Sequence, residues 1–228
     1  AKQLPWFTVP EKILTTDENG MQRWFADGVM NTCYMALDHH VAQGRGEQVA
    51  LIYDSPITAT KKQLTYTELL EKVARFAGLL QANGLTKGDR VVIYMPMISE
   101  AVIAMLATAR IGAVHSVVFG GFSAKALQER AIDIGAVAIV TANYQMRGGK
   151  ELPLKAIVDE AMSLGGCDAI HAVIVYQRTQ TAVNMVAGRD HFMHDLEAAA
   201  SEQCEPEMVN AEHPLFVLYT SGSTGKPK

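Results

Sequence analysis

The sequence predicts a doubly wound α/β fold, a mostly parallel sheet with helices on both faces. Three observations carry this expectation. Short runs that are apolar at nearly every position, such as Val91-Val92-Ile93-Tyr94-Met95 and Val137-Ala138-Ile139-Val140, recur along the chain. Segments with apolar residues at helical spacing separate them. The strands lack the alternation of a half-solvated sheet, so both of their faces must be covered, and strands of that kind alternating with amphipathic helices indicate a parallel sheet. At 228 residues, 49% hydrophobic and 19% charged, the chain has length for one sizeable core or two small ones and is too apolar for extended disorder.

Residues 1–45 carry Pro, Trp, Asn and Asp without a clear period and read as an irregular N-terminal arm leading into a helix over 31–41. Residues 46–228 form the α/β portion. A short strand over 49–53 comes first. Thr65 and Glu68 then stand at capping-box spacing before a helix that runs through Leu69, Val73, Phe76 and Leu80, with Gly84 placed to end it. Gly88-Asp89-Arg90 turns into the strand at 91–95, and Ser99 is expected to cap a second helix ending at Gly112. A strand over 114–119 leads to Gly120-Gly121, Ser123 caps a third helix ending near Gly135, and 137–140 is the next strand. A helix over 152–164, a strand over 172–176 and a helix over 190–200 follow. The apolar run Pro214-Leu215-Phe216-Val217-Leu218-Tyr219 reads as a buried strand.

A formal charge of −4 and a pI near 6.0 provide no net attraction to nucleic acid or to an anionic membrane, so phosphate recognition must come from local sites and the partners are small molecules. Three widely spaced cysteines, Cys33, Cys167 and Cys204, fit a reducing compartment and free thiols. The first residues contain no apolar signal region, and the longest apolar stretch, around 101–109, is too short to cross a bilayer. The expectation is a soluble cytoplasmic protein, or an organelle protein whose targeting segment is absent. His191 and His194, with Cys204 and His213 further on, lack the tight spacing of a zinc site. No Gly-x-Ser-x-Gly elbow occurs and no cysteine is marked as a nucleophile, so the sequence assigns no catalytic residue.

In parallel sheets, ligands sit beyond the carboxyl ends of the strands. The segments in that position are 96–98, 120–123, 143–151 and 220–228. The last of these closes the run Tyr219-Thr220-Ser221-Gly222-Ser223-Thr224-Gly225-Lys226-Pro227-Lys228, whose glycines, hydroxyls and two lysines suit a polyphosphate. It is not a Walker loop, which would need glycine at Thr220 and a hydroxyl at Pro227. A flexible polar tail would share this composition. Arg147-Gly148-Gly149-Lys150 offers two cations around a glycine pair, suited either to clamping an anion or to a solvated basic turn. Gly120-Gly121 either leaves room for a ligand or permits a tight turn into the Ser123 cap.

Taken together, Tyr219 to Lys228 resembles the phosphate-loop signature of the adenylate-forming superfamily. Tyr94-Met95-Pro96-Met97, the segment 110–123, Arg147-Gly148-Gly149-Lys150 with Leu152-Pro153-Leu154-Lys155, and Arg23-Trp24-Phe25-Ala26-Asp27-Gly28 with Asn31, Tyr34 and Asp38 resemble the AMP-forming short-chain acyl-CoA synthetases, the acetyl-CoA and propionyl-CoA synthetases. The resemblance implies an acid–thiol ligase that uses ATP, Mg2+ and coenzyme A. It assigns Thr220, Ser221, Gly222, Ser223, Thr224, Gly225, Lys226 and Lys228 to the β- and γ-phosphates of ATP. It assigns Arg147, Gly148, Gly149 and Lys150 to the nucleotide phosphates of coenzyme A, with Gly120 and Gly121 beside that pocket. It also implies that the acyl pocket, the adenine contacts, the magnesium-binding acid and the adenylation lysine lie downstream of Lys228. The chain is therefore expected to be an N-terminal fragment with negligible ligase activity alone. A carrier-loading adenylating enzyme and a non-catalytic nucleotide-binding module are the alternatives, and the Arg147 to Lys150 segment argues against the first.

Overall fold

A computed structural model describes residues 3–197 and 204–220. Along the chain come β1 (Leu14–Thr16), β2 (Gln22–Trp24), β3 (Val29–Met30), α1 (Thr32–Ala36), α2 (Asp38–His40) and a π-helical turn at Val41–Arg45. A hairpin follows, β4 (Val49–Ser55) and β5 (Thr60–Thr65), then α3 (Tyr66–Ala82), β6 (Arg90–Met95), α4 (Ser99–Arg110), β7 (Val114–Phe119), α5 (Ala124–Asp133) and β8 (Ala138–Ala142). A second hairpin, β9 (Gln145–Arg147) and β10 (Lys150–Leu152), precedes α6 (Leu154–Ser163), β11 (Ala172–Tyr176), β12 (Asp190–Phe192), α7 (Met193–Glu197) and β13 (Val209–Asn210).

The apolar runs build one five-stranded sheet in the order β12-β11-β8-β6-β7, with every neighbouring pair parallel. Alternate residues of a strand point to opposite faces, and both faces are covered. Val91, Ile93, Val140 and Ile174 meet Val73, Phe76, Ile103 and Ala107 of α3 and α4. Val92, Tyr94, Ile139 and Val173 meet Leu127, Ala131, Leu154 and Val158 of α5 and α6. The chain leaves β6 for β7 on one side and returns to β8 on the other, so the strand order reverses between β6 and β8. Such a switch point opens a crevice at the carboxyl ends of the strands. The α/β architecture is the one expected, and the Thr65–Glu68 capping box and the Ser123 cap form as read.

Several elements depart from the expectations. The segment 190–200 does not begin as helix: Asp190–Phe192 pairs in parallel with β11, and α7 starts only at Met193. A free sheet edge beside β11 outweighs local propensity there. Residues 198–200 lie outside the described residues. Ser99 is not a cap but the first residue of α4; the cap position is Ile98, without a side-chain bond, and the Ser99 hydroxyl donates to Glu100. The helix expected from 152 begins at Leu154, because Leu152 belongs to β10. Helix 31–41 is broken at Leu37, whose backbone is non-helical. The N-terminal arm contains the β1/β2 hairpin, and its β3 pairs with β13. Finally, the run 214–219 is only half covered. Phe216 bridges His115 beyond the β7 edge, but Phe216 and Leu218 are 54% and 64% exposed.

Two buried polar clasps tie distant segments to this frame. The Arg110 guanidinium forks onto both Asp38 carboxylate oxygens at 2.8 and 2.9 Å, and its Nε donates to the Cys204 carbonyl. Burial works against the Arg110 charge, and the Asp38 hydrogen bonds override it, so the guanidinium stays charged. Asn31 caps α1 and donates to the carbonyls of Ala109, Arg110 and Glu207. On the other side of the sheet, fully buried Lys155 meets Asp159 at 2.7 Å, Asp190 at 2.8 Å and the Asn184 carbonyl at 2.9 Å. Burial alone would raise the Asp190 pKa, but hydrogen bonds from Arg189 and Lys155 hold it below the usual carboxylate range. The three cysteines are free thiols and buried, and desolvation pushes Cys33 up to about 12.

Two stability measurements test this description. Asp190→Ala strands part of the Lys155 charge and is expected to cost about 3 kcal/mol in urea unfolding, whereas Lys155→Met with Asp190→Leu costs less because no charge is left buried alone. His115 Nδ1 is buried without a partner among the described residues, and desolvation lowers its pKa to about 4. The unfolded chain binds this proton near pH 6.5 and the folded chain only near 4, so stability falls as the pH drops through that window, by roughly 3 kcal/mol over its full width. In His115→Gln that part of the acid slope between pH 6.5 and 5 is expected to vanish, as read by urea unfolding at each pH.

Candidate functional site

The loops at the carboxyl ends of β7 and β8 converge. Arg147-Gly148-Gly149-Lys150 is the tip of the β9/β10 hairpin, with Arg147 and Lys150 directly paired and both glycines at positive φ, +57° and +75°. A two-residue turn with both φ positive matches strand twist and favours glycine at both positions. The pairing sets the two cations side by side on one face of the ladder. Neither has an acidic partner among the described residues. The glycine pair thus makes a hairpin turn, and the cations around it are presented without neutralisation.

Gly120-Gly121 packs against this hairpin. A Cβ on Gly120 would lie 2.9 Å from the Met95 carbonyl oxygen, and one on Gly121, at φ +132°, would lie 2.9 Å from Arg147 Nη1. Close approach to backbone therefore demands glycine at 120, and the positive φ favours it at 121, beyond the needs of a turn into the Ser123 cap. Gln145 Nε2 donates to the Gly120 carbonyl, and the Arg147 guanidinium lies 5.6 Å from the Phe119 ring centroid. The exposed Gly148-Gly149 backbone and two cations without an acidic partner among the described residues make a patch suited to a phosphate-bearing ligand.

Tyr94, the last inward residue of β6 on this side, holds the glycine loop. It is fully buried. Its hydroxyl donates to the Phe122 carbonyl at 2.7 Å and accepts from the Gly121 N–H at 3.1 Å. Burial raises its pKa, so the phenol remains a donor. Neither Tyr94 nor Gln145 was singled out from the sequence as a site residue. A tyrosine ending an aliphatic strand was the available signal, since a buried phenol needs a partner.

Of the remaining candidates, Thr220 is described and follows Tyr219 past the β7 edge, while Ser221, Gly222, Ser223, Thr224, Gly225, Lys226 and Lys228 lie outside the described residues. Among the described residues no group of three or more His, Cys, Asp or Glu side chains is arranged to hold a metal. A cavity of about 420 Å³ between α3, α4 and β11, lined in part by Lys62, Lys72, Glu100, Tyr176 and His194, contains none of the residues assigned to ATP or coenzyme A. No helix among the described residues is long and apolar enough to cross a membrane.

Tyr94→Phe tests the anchor. The Phe122 carbonyl and Gly121 N–H lose their partner, and the chain is expected to lose about 1–3 kcal/mol in urea unfolding. Amide exchange at 120–122 should rise, while that of β6 itself stays protected.

Residues 37–228 match the family of AMP-binding enzymes, and residues 1–36 match the acetyl-coenzyme A synthetase N-terminus family. The chain is 56% identical over 225 residues to the acetyl-coenzyme A synthetases of Burkholderia lata and Burkholderia pseudomallei, covering 99% of this chain and 34% of each relative. It therefore spans about a third of the length of these curated relatives. Acetoacetyl-CoA synthetase from Streptomyces lividans superposes with a TM-score of 0.86 at 30% identity, over 99% of this chain and 34% of that one. A parallel sheet whose carboxyl-end loops present cations and bare glycine backbone, matched across residues 37–228, places the chain in the AMP-binding enzyme family.

Proposed function

We propose that these residues are the acceptor-binding and pyrophosphate-gripping elements of an AMP-forming short-chain acyl-CoA synthetase. The reaction joins acetate or propionate to the α-phosphate of ATP, giving acyl-AMP and pyrophosphate. The thiol of coenzyme A then takes the acyl group and releases AMP. Residues 46–228 would belong to the adenylation domain and 1–45 to its entry arm. Magnesium would accompany the ATP phosphates.

The observation that carries this reading is the pair of cations, Arg147 and Lys150, without an acidic partner among the described residues and paired on a hairpin tip whose Arg147 lies against Gly121. An acceptor recognised through nucleotide phosphates would find a bidentate guanidinium and an ammonium there. In Thr220, Ser221, Gly222, Ser223, Thr224, Gly225, Lys226 and Lys228 the chain has donors and charge for a leaving pyrophosphate, the kind of fixed electrostatic stabilisation that lowers a transfer barrier. The 56% identity to acetyl-coenzyme A synthetases supports the short-chain class.

Arg147→Ala, made in the enzyme at the length of its relatives, is expected to raise KM for coenzyme A by about 10- to 100-fold, the range for losing a charged hydrogen-bonding group. ATP–pyrophosphate exchange with acetate should change by less than about twofold, because coenzyme A plays no part in it. Equal losses in both half-reactions would remove the coenzyme A assignment.

A further inference from the structure

Arg130 lies on α5, one turn before Asp133 and on the same face. Its guanidinium is held between two aromatic rings, 4.9 Å from the Phe122 centroid and 5.2 Å from that of Tyr219. Nη1 donates to the Ala126 carbonyl at 2.8 Å. Arg130 forms no ion pair among the described residues, and the nearby Asp133 carboxylate accepts a hydrogen bond from the Tyr219 hydroxyl. Burial, then that carboxylate, raises the Tyr219 pKa, so the phenol stays protonated. Tyr219 immediately precedes the hydroxyl- and glycine-rich segment, and α5 grips it at both ring and hydroxyl.

The stack continues in the other direction. Phe122 meets Phe119 edge to face at 5.9 Å, and Phe119 lies under the Arg147 guanidinium. Arg147, Phe119, Phe122, Arg130 and Tyr219 thus form one continuous run of cation–ring and ring–ring contacts. It runs from the hairpin assigned to coenzyme A to the root of the segment assigned to ATP. Cation–π pairs of this kind are directional and cost little desolvation for a guanidinium.

We propose that Arg130 is a positioning residue which, through its contacts with Tyr219 and Phe122, fixes Tyr219 and Thr220, the residues that lead into the hydroxyl- and glycine-rich segment, relative to the Gly120-Gly121 turn. This role rests on the synthetase reading above. Arg130 acts through its two ring contacts, by limiting the backbone freedom of Tyr219 and Thr220 at the entry to that segment.

Arg130→Met keeps the stem and removes the charge and the plane, while Arg130→Lys keeps the charge. In the enzyme at its relatives' length, R130M is expected to lower kcat/KM for ATP in ATP–pyrophosphate exchange about tenfold, the size one ordinary cation–π pair supports. KM for acetate should stay within about twofold, R130K should recover part of the loss, and Glu129→Gln, exposed on the same helix, should change neither. Without substrate, amide exchange over 215–219 should rise in R130M and in Tyr219→Leu, and no further in the double variant. Unchanged exchange over 215–219 in R130M overturns the clamp. Raised exchange with unaltered ATP kinetics, or equal losses for ATP and acetate, overturns the positioning role. A wild-type enzyme that exchanges no pyrophosphate with acetate or propionate sinks the synthetase reading and the positioning role with it. That failure is distinct from failure of the clamp, which the substrate-free exchange reads directly.

Discussion

The Tyr94 hydroxyl is the constraint on which the site geometry depends. It stands near the carboxyl end of β6, between β8 and the edge strand β7 and packed in the core that α5 covers, where an unpaired phenol would be costly. By donating to Phe122 and accepting from Gly121, it satisfies itself and fixes the path of the chain immediately after β7. The position of Phe119 and Phe122, the approach of Gly121 to Arg147, and the stack that reaches Tyr219 all follow from that path. Thr141 on β8 donates to the Tyr94 carbonyl at 2.8 Å, so the neighbouring strand that begins the hairpin segment is tied to the same residue.

The buried ion pairs serve a different purpose. A buried pair gains little net stability over a well-packed apolar one, because desolvation offsets most of the attraction. The Lys155 cluster ties the 184–190 segment to α6, bringing Asp190 and the Asn184 carbonyl to a fully buried ammonium. Asn143 acts similarly at the end of β8, bonding the backbone of Arg178, Thr179 and Thr181. Arg110 with Asp38, and Asn31 with the α4 carboxyl end, do the same for the N-terminal arm and the 204–210 segment. Charge and amide side chains here specify which distant segments meet, while the apolar strands supply the driving force.

Legibility in the sequence followed the range of the interaction concerned. The strand at 91–95, the capped helix α3 and the cap at Ser123 depend on neighbours within a few residues, and their pattern was enough. Segment 190–192 became strand because an edge was open beside β11, and Ser99 lost its capping role to Ile98; neither circumstance is encoded locally. The Arg147 to Lys150 hairpin was half legible. Its glycines implied a turn and its cations an anion, but the partner loop that approaches it comes from a strand more than twenty residues earlier.

The sequence by itself determined the class of sheet, the helices that cover it and the residue types able to hold phosphate, because apolar periodicity, capping and glycine conformational freedom are properties of short stretches. Only the tertiary structure decided that the Arg147 guanidinium lies against Gly121, that Tyr94 pins the turn at 121–122, and that Arg130 contacts both Phe122 and Tyr219. These contacts join residues from different strands and helices. Their geometry is set by the register and twist of the assembled sheet, which no single segment contains.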